Sequence, residues 1–108
     1  MFEIIKKLFS TAAPVNLEEL IHKGALLVDV RSNAEYFDEH VKGSVNIPLD
    51  HIQKQLAKFL DKEHIIVFCR SGSRSARAKS ILNRHGITNV TNGGSWESVN
   101  KIVKNKTT

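Results

Sequence analysis

The chain's single cysteine, Cys69, opens the stretch Cys-Arg-Ser-Gly-Ser-Arg-Ser at 69–75, in which every residue type suits the support of a thiolate. Arg70 and Arg74 carry charges that do not titrate away. Ser71, Ser73 and Ser75 add hydroxyl donors, and Gly72 permits backbone conformations that other residues resist. Apolar neighbours lie on one side only, in the run His-Ile-Ile-Val-Phe at 64–68. With a strand before Cys69 and a helix after it, the N–H groups from Arg70 to Ser75 have no strand partners, and those of the helix's first turn are free. A curled loop turns such donors inward as a cradle for negative charge. Helix N-termini and cationic neighbours lower a thiol pKa from about 8.5 to roughly 3.5–7.5. The pattern points to a reactive sulfur nucleophile facing an anionic substrate. Free cysteine is also a common small core hydrophobe, and Ser-Gly-Ser serves any strand-to-helix turn, so the stretch alone leaves both readings open.

The flanking elements give Cys69 an address. Asn16 can cap a short helix that carries Glu18 and Glu19 in its first turn and ends at Gly24. Ala25–Val30 is a nearly continuous apolar run, the mark of a strand covered on both faces. A short helix is predicted from Ser32, then a brief strand stopped by Pro48. Leu49, Ile52, Leu56, Phe59 and Leu60 recur at helical steps, which predicts an amphipathic helix. Residues 64–69 form the most apolar strand and are assigned to the sheet's centre. A helix over 73–86 is expected to turn Ile81 and Leu82 inward and to stop at Gly86. A last short strand over 88–91 and a helix over 95–104 complete the alternation, which implies a mainly parallel sheet with helices on both faces. Cys69 then sits at the carboxyl end of a central strand, where ligands bind in open α/β sheets.

Composition narrows the function classes. The 108 residues, 41% hydrophobic and 25% charged, suit one globular domain. One cysteine permits no internal disulfide and no Cys-x-x-Cys zinc site. The five histidines, His22, His40, His51, His64 and His85, show no metal-ligand spacing and are read as surface or structural. A net charge of +5 favours anions, but no nucleic-acid-binding motif accompanies it. Arg77 and Arg84 are assigned to solvated helix faces. No stretch reaches the ~20 apolar residues of a membrane span. Residues 1–10, with Phe2, Ile5 and Phe9 on one stripe, predict a short N-terminal helix rather than a secretory signal, and the cytoplasm is expected.

Three passages together resemble the rhodanese family of sulfurtransferases. The stretch at 69–75 is similar to the family's active-site loop. Residues 26–49, LLVDVRSNAEYFDEHVKGSVNIPL, look like its Asp-Val-Arg, Glu-Tyr, His-Gly and Asn-Ile-Pro signature, and residues 90–99, VTNGGSWESV, like its closing Gly-Gly segment. The resemblance runs from about Val15 to Val99. It implies a rhodanese-like α/β fold of four to five short, mainly parallel strands: an extension at 1–13, one domain over 14–104 and a flexible tail at 105–108. It implies that Cys69 becomes a persulfide by attack on a donor such as thiosulfate and passes the sulfur to cyanide or to a thiol such as thioredoxin or a low-molecular-weight thiol. No cofactor or metal is implied, and a monomer is expected. Asp29, Arg31, Glu35 and His40 are expected to form a supporting polar network. Three departures bear on substrate choice: Glu39 stands where the family usually has glycine, Trp96 follows Gly93 and Gly94 closely, and Ser71 replaces the lysine of some thiosulfate-preferring members. Cysteine phosphatases and arsenate reductases, some of which share the fold, use Cys-x5-Arg, whereas only four residues separate Cys69 from Arg74. A non-catalytic binding or regulatory module of the same family is the other alternative.

Overall fold

A computed structural model describes residues 16–106, and the predicted N-terminal helix lies outside them. Helix α1 (Leu17–His22) begins where the Asn16 side chain accepts the Glu19 N–H. After strand β1 (Leu26–Asp29), helix α2 (Asn33–Asp38) opens with a capping box: Ser32 Oγ accepts the Glu35 N–H, and the Glu35 carboxylate accepts the Ser32 N–H. Strand β2 (Val45–Asn46), a 3₁₀ segment (Leu49–Phe59), strand β3 (Ile65–Cys69), helix α3 (Ser73–Arg84), strand β4 (Val90–Ser95) and helix α4 (Trp96–Lys106) follow. Among the described residues no helix is long and apolar enough to cross a membrane.

The four strands pair in the order β2-β1-β3-β4, all parallel. The period-2 geometry of a strand divides the apolar run of β3 between two cores. Ile65, Val67 and Cys69 join Ala78 and Leu82 of α3 and Ile52 and Phe59 of the 3₁₀ segment. Ile66 and Phe68 join Ile21 of α1 and Val99 of α4 on the opposite face. Helices therefore cover both faces, as the alternation of elements implied. From β1 the chain proceeds to β2 on one side, and from β3 to β4 on the other. The carboxyl ends of β1 and β3 thus flank a topological switch point, the usual ligand crevice of such sheets.

Three sequence expectations are corrected. The amphipathic helix expected from Leu49 is a 3₁₀ segment over Leu49–Phe59, interrupted by non-helical backbone at Gln55 (φ −125°, ψ 33°). The pairs Leu49/Ile52 and Leu56/Phe59 are three residues apart, the 3₁₀ repeat, and the kink between them resets the phase. Leu60 falls past the end and is 55% exposed instead of joining the apolar stripe. The last strand, expected over 88–91, runs through both glycines to Ser95: Val67 pairs with Asn92 but Phe68 with Gly94, a bulge around Gly93. Glycine is required there, since a Cβ on Gly93 would lie 2.8 Å from Ile66 Cγ2. Finally, α4 continues through Lys106, so 105 and 106 belong to the helix rather than to the expected tail.

Candidate active site

Cys69 ends β3, and Gly72 caps α3 three residues later with φ +100°, a left-handed conformation that suits glycine. The sharp curl brings the Gly72 N–H to 3.0 Å from Cys69 Sγ, with Ser75 Oγ 3.5 Å away. Cys69 is fully buried. Burial pushes the Cys69 pKa up, but the Ser75 hydroxyl and the N–H groups of Ser75, Ser71 and Gly72 outweigh it and hold the thiol at about 7. The sulfur thus meets the donors of its loop while Cys69 also packs in the core cluster of β3 and α3. Ser71 and Ser73 are exposed, and their hydroxyls make no hydrogen bond among the described residues.

The two loop arginines part company. Arg74 is the partner of Glu35: Nη1 and Nη2 donate to Oε1 and Oε2 at 2.7 and 3.0 Å. This fork-to-fork pair joins α3 to α2 across the crevice. The Arg74 bond, the largest effect on it, holds the Glu35 carboxyl down at about 2. The sequence reading paired Arg74 with Arg70 as positive charge facing an anionic substrate; in this structure its guanidinium serves a carboxylate. Arg70 makes no ion pair among the described residues and lines a cavity of about 200 Å³ beside the loop. Arg31, Trp96 and the acidic Glu35, Asp38, Glu39 and Glu97 complete its lining. A larger groove of about 430 Å³, lined by Leu49, Asp50, Gln53, Arg77 and Ile81, holds no nucleophile.

The expected network of Asp29, Arg31, Glu35 and His40 is three separate units. Asp29 and Arg31 form a buried pair that engages both carboxylate oxygens: Nε donates to Oδ1 at 3.0 Å and to Oδ2 at 2.9 Å, and Nη2 donates to Oδ2 at 2.7 Å. Arg31 Nη2 also donates to the Glu39 carbonyl at 2.7 Å, and its guanidinium lies 4.7 Å from the Trp96 ring centroid. Glu35 turns instead to Arg74 and Ser32. His40 is exposed, stacks on Tyr36 at 4.0 Å and donates from Nδ1 to the Tyr36 carbonyl, so it supports the end of α2 alone. Glu39 has φ −161°, extended backbone open to any residue, so glycine is not needed there.

Sequence reasoning gave Asn92 no role. Its side chain bridges β4 to the active-site loop: Nδ2 donates to the Gly72 carbonyl at 3.0 Å, and Oδ1 accepts from Ser75 Oγ at 2.7 Å and from the Gly94 N–H at 2.9 Å. The available signal was Asn-Gly-Gly after a β-branched start, since glycine inside a strand marks a bulge or a close backbone approach.

Residues 13–101 match the family described as Rhodanese-like domain. The chain is 38% identical over 74 residues to thiosulfate sulfurtransferase PspE of Escherichia coli (strain K12), covering 67% of this chain and 71% of that one. Among solved structures, a rhodanese with anions from E. coli superposes with a TM-score of 0.63 at 34% identity, over 69% of this chain and 91% of that one. The human single-domain sulfurtransferase TSTD1 superposes with a TM-score of 0.67 at 28% identity, over 79% and 89%.

Proposed function

This chain belongs to the rhodanese-like domain family, and on that premise we propose that it transfers a sulfane sulfur through a persulfide on Cys69. The observation that carries the proposal is the Gly72 N–H aimed at Cys69 Sγ from 3.0 Å, with the Ser75 hydroxyl 3.5 Å from the same sulfur. In the first half-reaction the Cys69 thiolate attacks the outer sulfur of thiosulfate or of another persulfide or polysulfide. A new S–S bond forms, the old bond to that sulfur breaks, and sulfite (or the donor thiolate) leaves with the electron pair. In the second half-reaction an acceptor thiolate, or cyanide, attacks the outer sulfur and restores the Cys69 thiolate. The scheme is double displacement, with ping-pong kinetics. A persulfide terminus carries negative charge, and fixed N–H donors favour such an anion without reorganisation.

A thiol near neutrality is substantially ionised at neutral pH yet remains a good nucleophile. The resting thiol must stay reduced between turnovers, which fits a cytoplasmic setting and acceptors such as thioredoxin or a low-molecular-weight thiol. Arg70 is the side chain available to draw in an anionic donor. Phosphatase chemistry is disfavoured, because the loop arginine that would grip a tetrahedral oxyanion is bound at both terminal nitrogens by Glu35.

One observation favours a second reading, a binding module without turnover: Cys69 is fully buried. Intact-mass measurement separates the two. Incubation with thiosulfate or polysulfide is expected to add one sulfur to the wild-type chain and none to Cys69→Ser, and cyanide is expected to remove it. A wild-type chain that gains no sulfur from either donor overturns the proposal.

A further inference from the structure

We infer that Asn92 is a positioning residue for the nucleophile: from β4 it holds both the Gly72 peptide and the Ser75 hydroxyl in place around Cys69 Sγ. The orientation of its amide is fixed at both ends. The Gly94 N–H can only donate, so Oδ1 faces it, and the Gly72 carbonyl can only accept, so Nδ2 faces that. Past the bulge at Gly93, where Gly94 has a φ of +82°, the Gly94 N–H meets Oδ1 at 2.9 Å. Gly72 in turn packs closely on β4, since a Cβ on it would lie 3.4 Å from Gly94 Cα.

The consequence for the sulfur runs through two contacts. The Gly72 carbonyl receives two donors, Asn92 Nδ2 at 3.0 Å and the Ala76 N–H at 3.0 Å, with Ser75 Oγ 3.1 Å away. This fixes the residue whose own N–H points at Sγ. Ser75 is fully buried, and its one proton has the Asn92 amide oxygen at 2.7 Å, the Gly72 carbonyl and Cys69 Sγ within reach. In the thiol state the short contact to Asn92 takes that proton. When the sulfur carries charge the proton turns toward it, because charge-assisted bonds are stronger. Asn92 Oδ1 is not orphaned by the change, since the Gly94 N–H remains on it. The charged groups around this space are Arg74, which feels the charges of Glu35, Cys69 and Asp29, the Asp29–Arg31 pair at the end of β1, and Arg70 in the loop; β4 contributes no charged side chain. Asn92 therefore acts through hydrogen-bond geometry.

The inference concerns the thiol that the proposed transfer uses, and its test does not depend on turnover. The pH dependence of iodoacetamide alkylation, or of thiolate absorbance, gives the Cys69 pKa directly. Asn92→Ala is expected to raise it by about one unit and to slow alkylation near neutrality several-fold. Asn92→Asp, nearly isosteric, is expected to raise it at least as far, because a carboxylate cannot donate to the Gly72 carbonyl and places a negative charge near the sulfur. In a Ser75→Ala background the Asn92→Ala shift should shrink to less than half, the non-additivity of residues acting through one another. If Asn92→Ala fails to fold, Asn92→Asp and its Ser75→Ala double variant give the same measurement. A thiol that titrates as in the wild type in whichever of these variants folds, whatever its melting temperature, refutes the assignment. Loss of sulfur transfer with an intact thiol titration counts against the proposed reaction instead.

Discussion

Glu35 and Arg74 lie 39 positions apart in sequence, yet their side chains meet at 2.7 Å and close a doubly hydrogen-bonded bridge between α2 and α3. The same Glu35 caps α2 through Ser32, so one carboxylate sets a helix start and ties it to the active-site helix.

Its folded pKa is depressed from 4.5 to about 2, so the bridge stabilises the fold above the unfolded value and the contribution fades as pH falls through the folded one. Both side chains are about one-third exposed, which holds the contribution to about 1 kcal/mol after solvent screening. Glu35→Gln should therefore lower stability at neutral pH by that amount and flatten the acid limb between roughly pH 5 and pH 2. Urea unfolding at a series of pH values measures it; an acid limb identical to the wild type would remove Glu35 from the account.

The Cys69 thiol should titrate near 7 by alkylation rate, with reactivity rising through neutral pH and levelling above it. Ser75→Ala removes the strongest group that lowers it, and a hydrogen bond to a charged group contributes about 1.5–3 kcal/mol. The midpoint should move up by about one unit or more. A midpoint that stays put would mean the backbone N–H groups suffice.

Arg70→Ala should raise the Michaelis constant for thiosulfate roughly two- to five-fold with little change in kcat, the size of effect an exposed charge exerts. Steady-state kinetics at low ionic strength give the clearest reading. Arg74→Ala should act chiefly on melting temperature instead, since its charge is engaged by Glu35.

Asp29→Ala should cost about 3–5 kcal/mol, because it leaves the Arg31 guanidinium buried without its carboxylate. Thermal unfolding gives the value. A loss under about 1 kcal/mol would show that the Trp96 stack and the Glu39 carbonyl alone satisfy Arg31.

Gly93→Ala should lose about 1–3 kcal/mol through overpacking, since its Cβ meets Ile66 from 2.8 Å and Val99 from 3.1 Å in the core. Gly43→Ala offers a contrast: no heavy atom lies within 4 Å, so its cost comes only from the φ of +85°. Chemical denaturation of the two variants separates steric from conformational loss.

Local information was enough for the alternating elements, the caps at Asn16 and Ser32, the burial of residues 65–69 on both faces and the place of Cys69 at a strand end before a helix. Each follows from side-chain periodicity or from hydrogen bonds between residues a few positions apart, and these survive in any fold that buries the apolar runs. The type of the Leu49–Phe59 helix was not legible, because spacings of three fit both 3₁₀ and α repeats and only packing against α3 selects between them. Nor was the partner of Arg74: the sequence offers an arginine near a thiol, and only the approach of α2 decides that Glu35 takes it. Asn92 is the sharpest case. Its amide reaches the loop because β4 pairs with β3 and sets Asn92 level with Val67, two residues before the thiol, a property of two paired strands that neither segment carries alone.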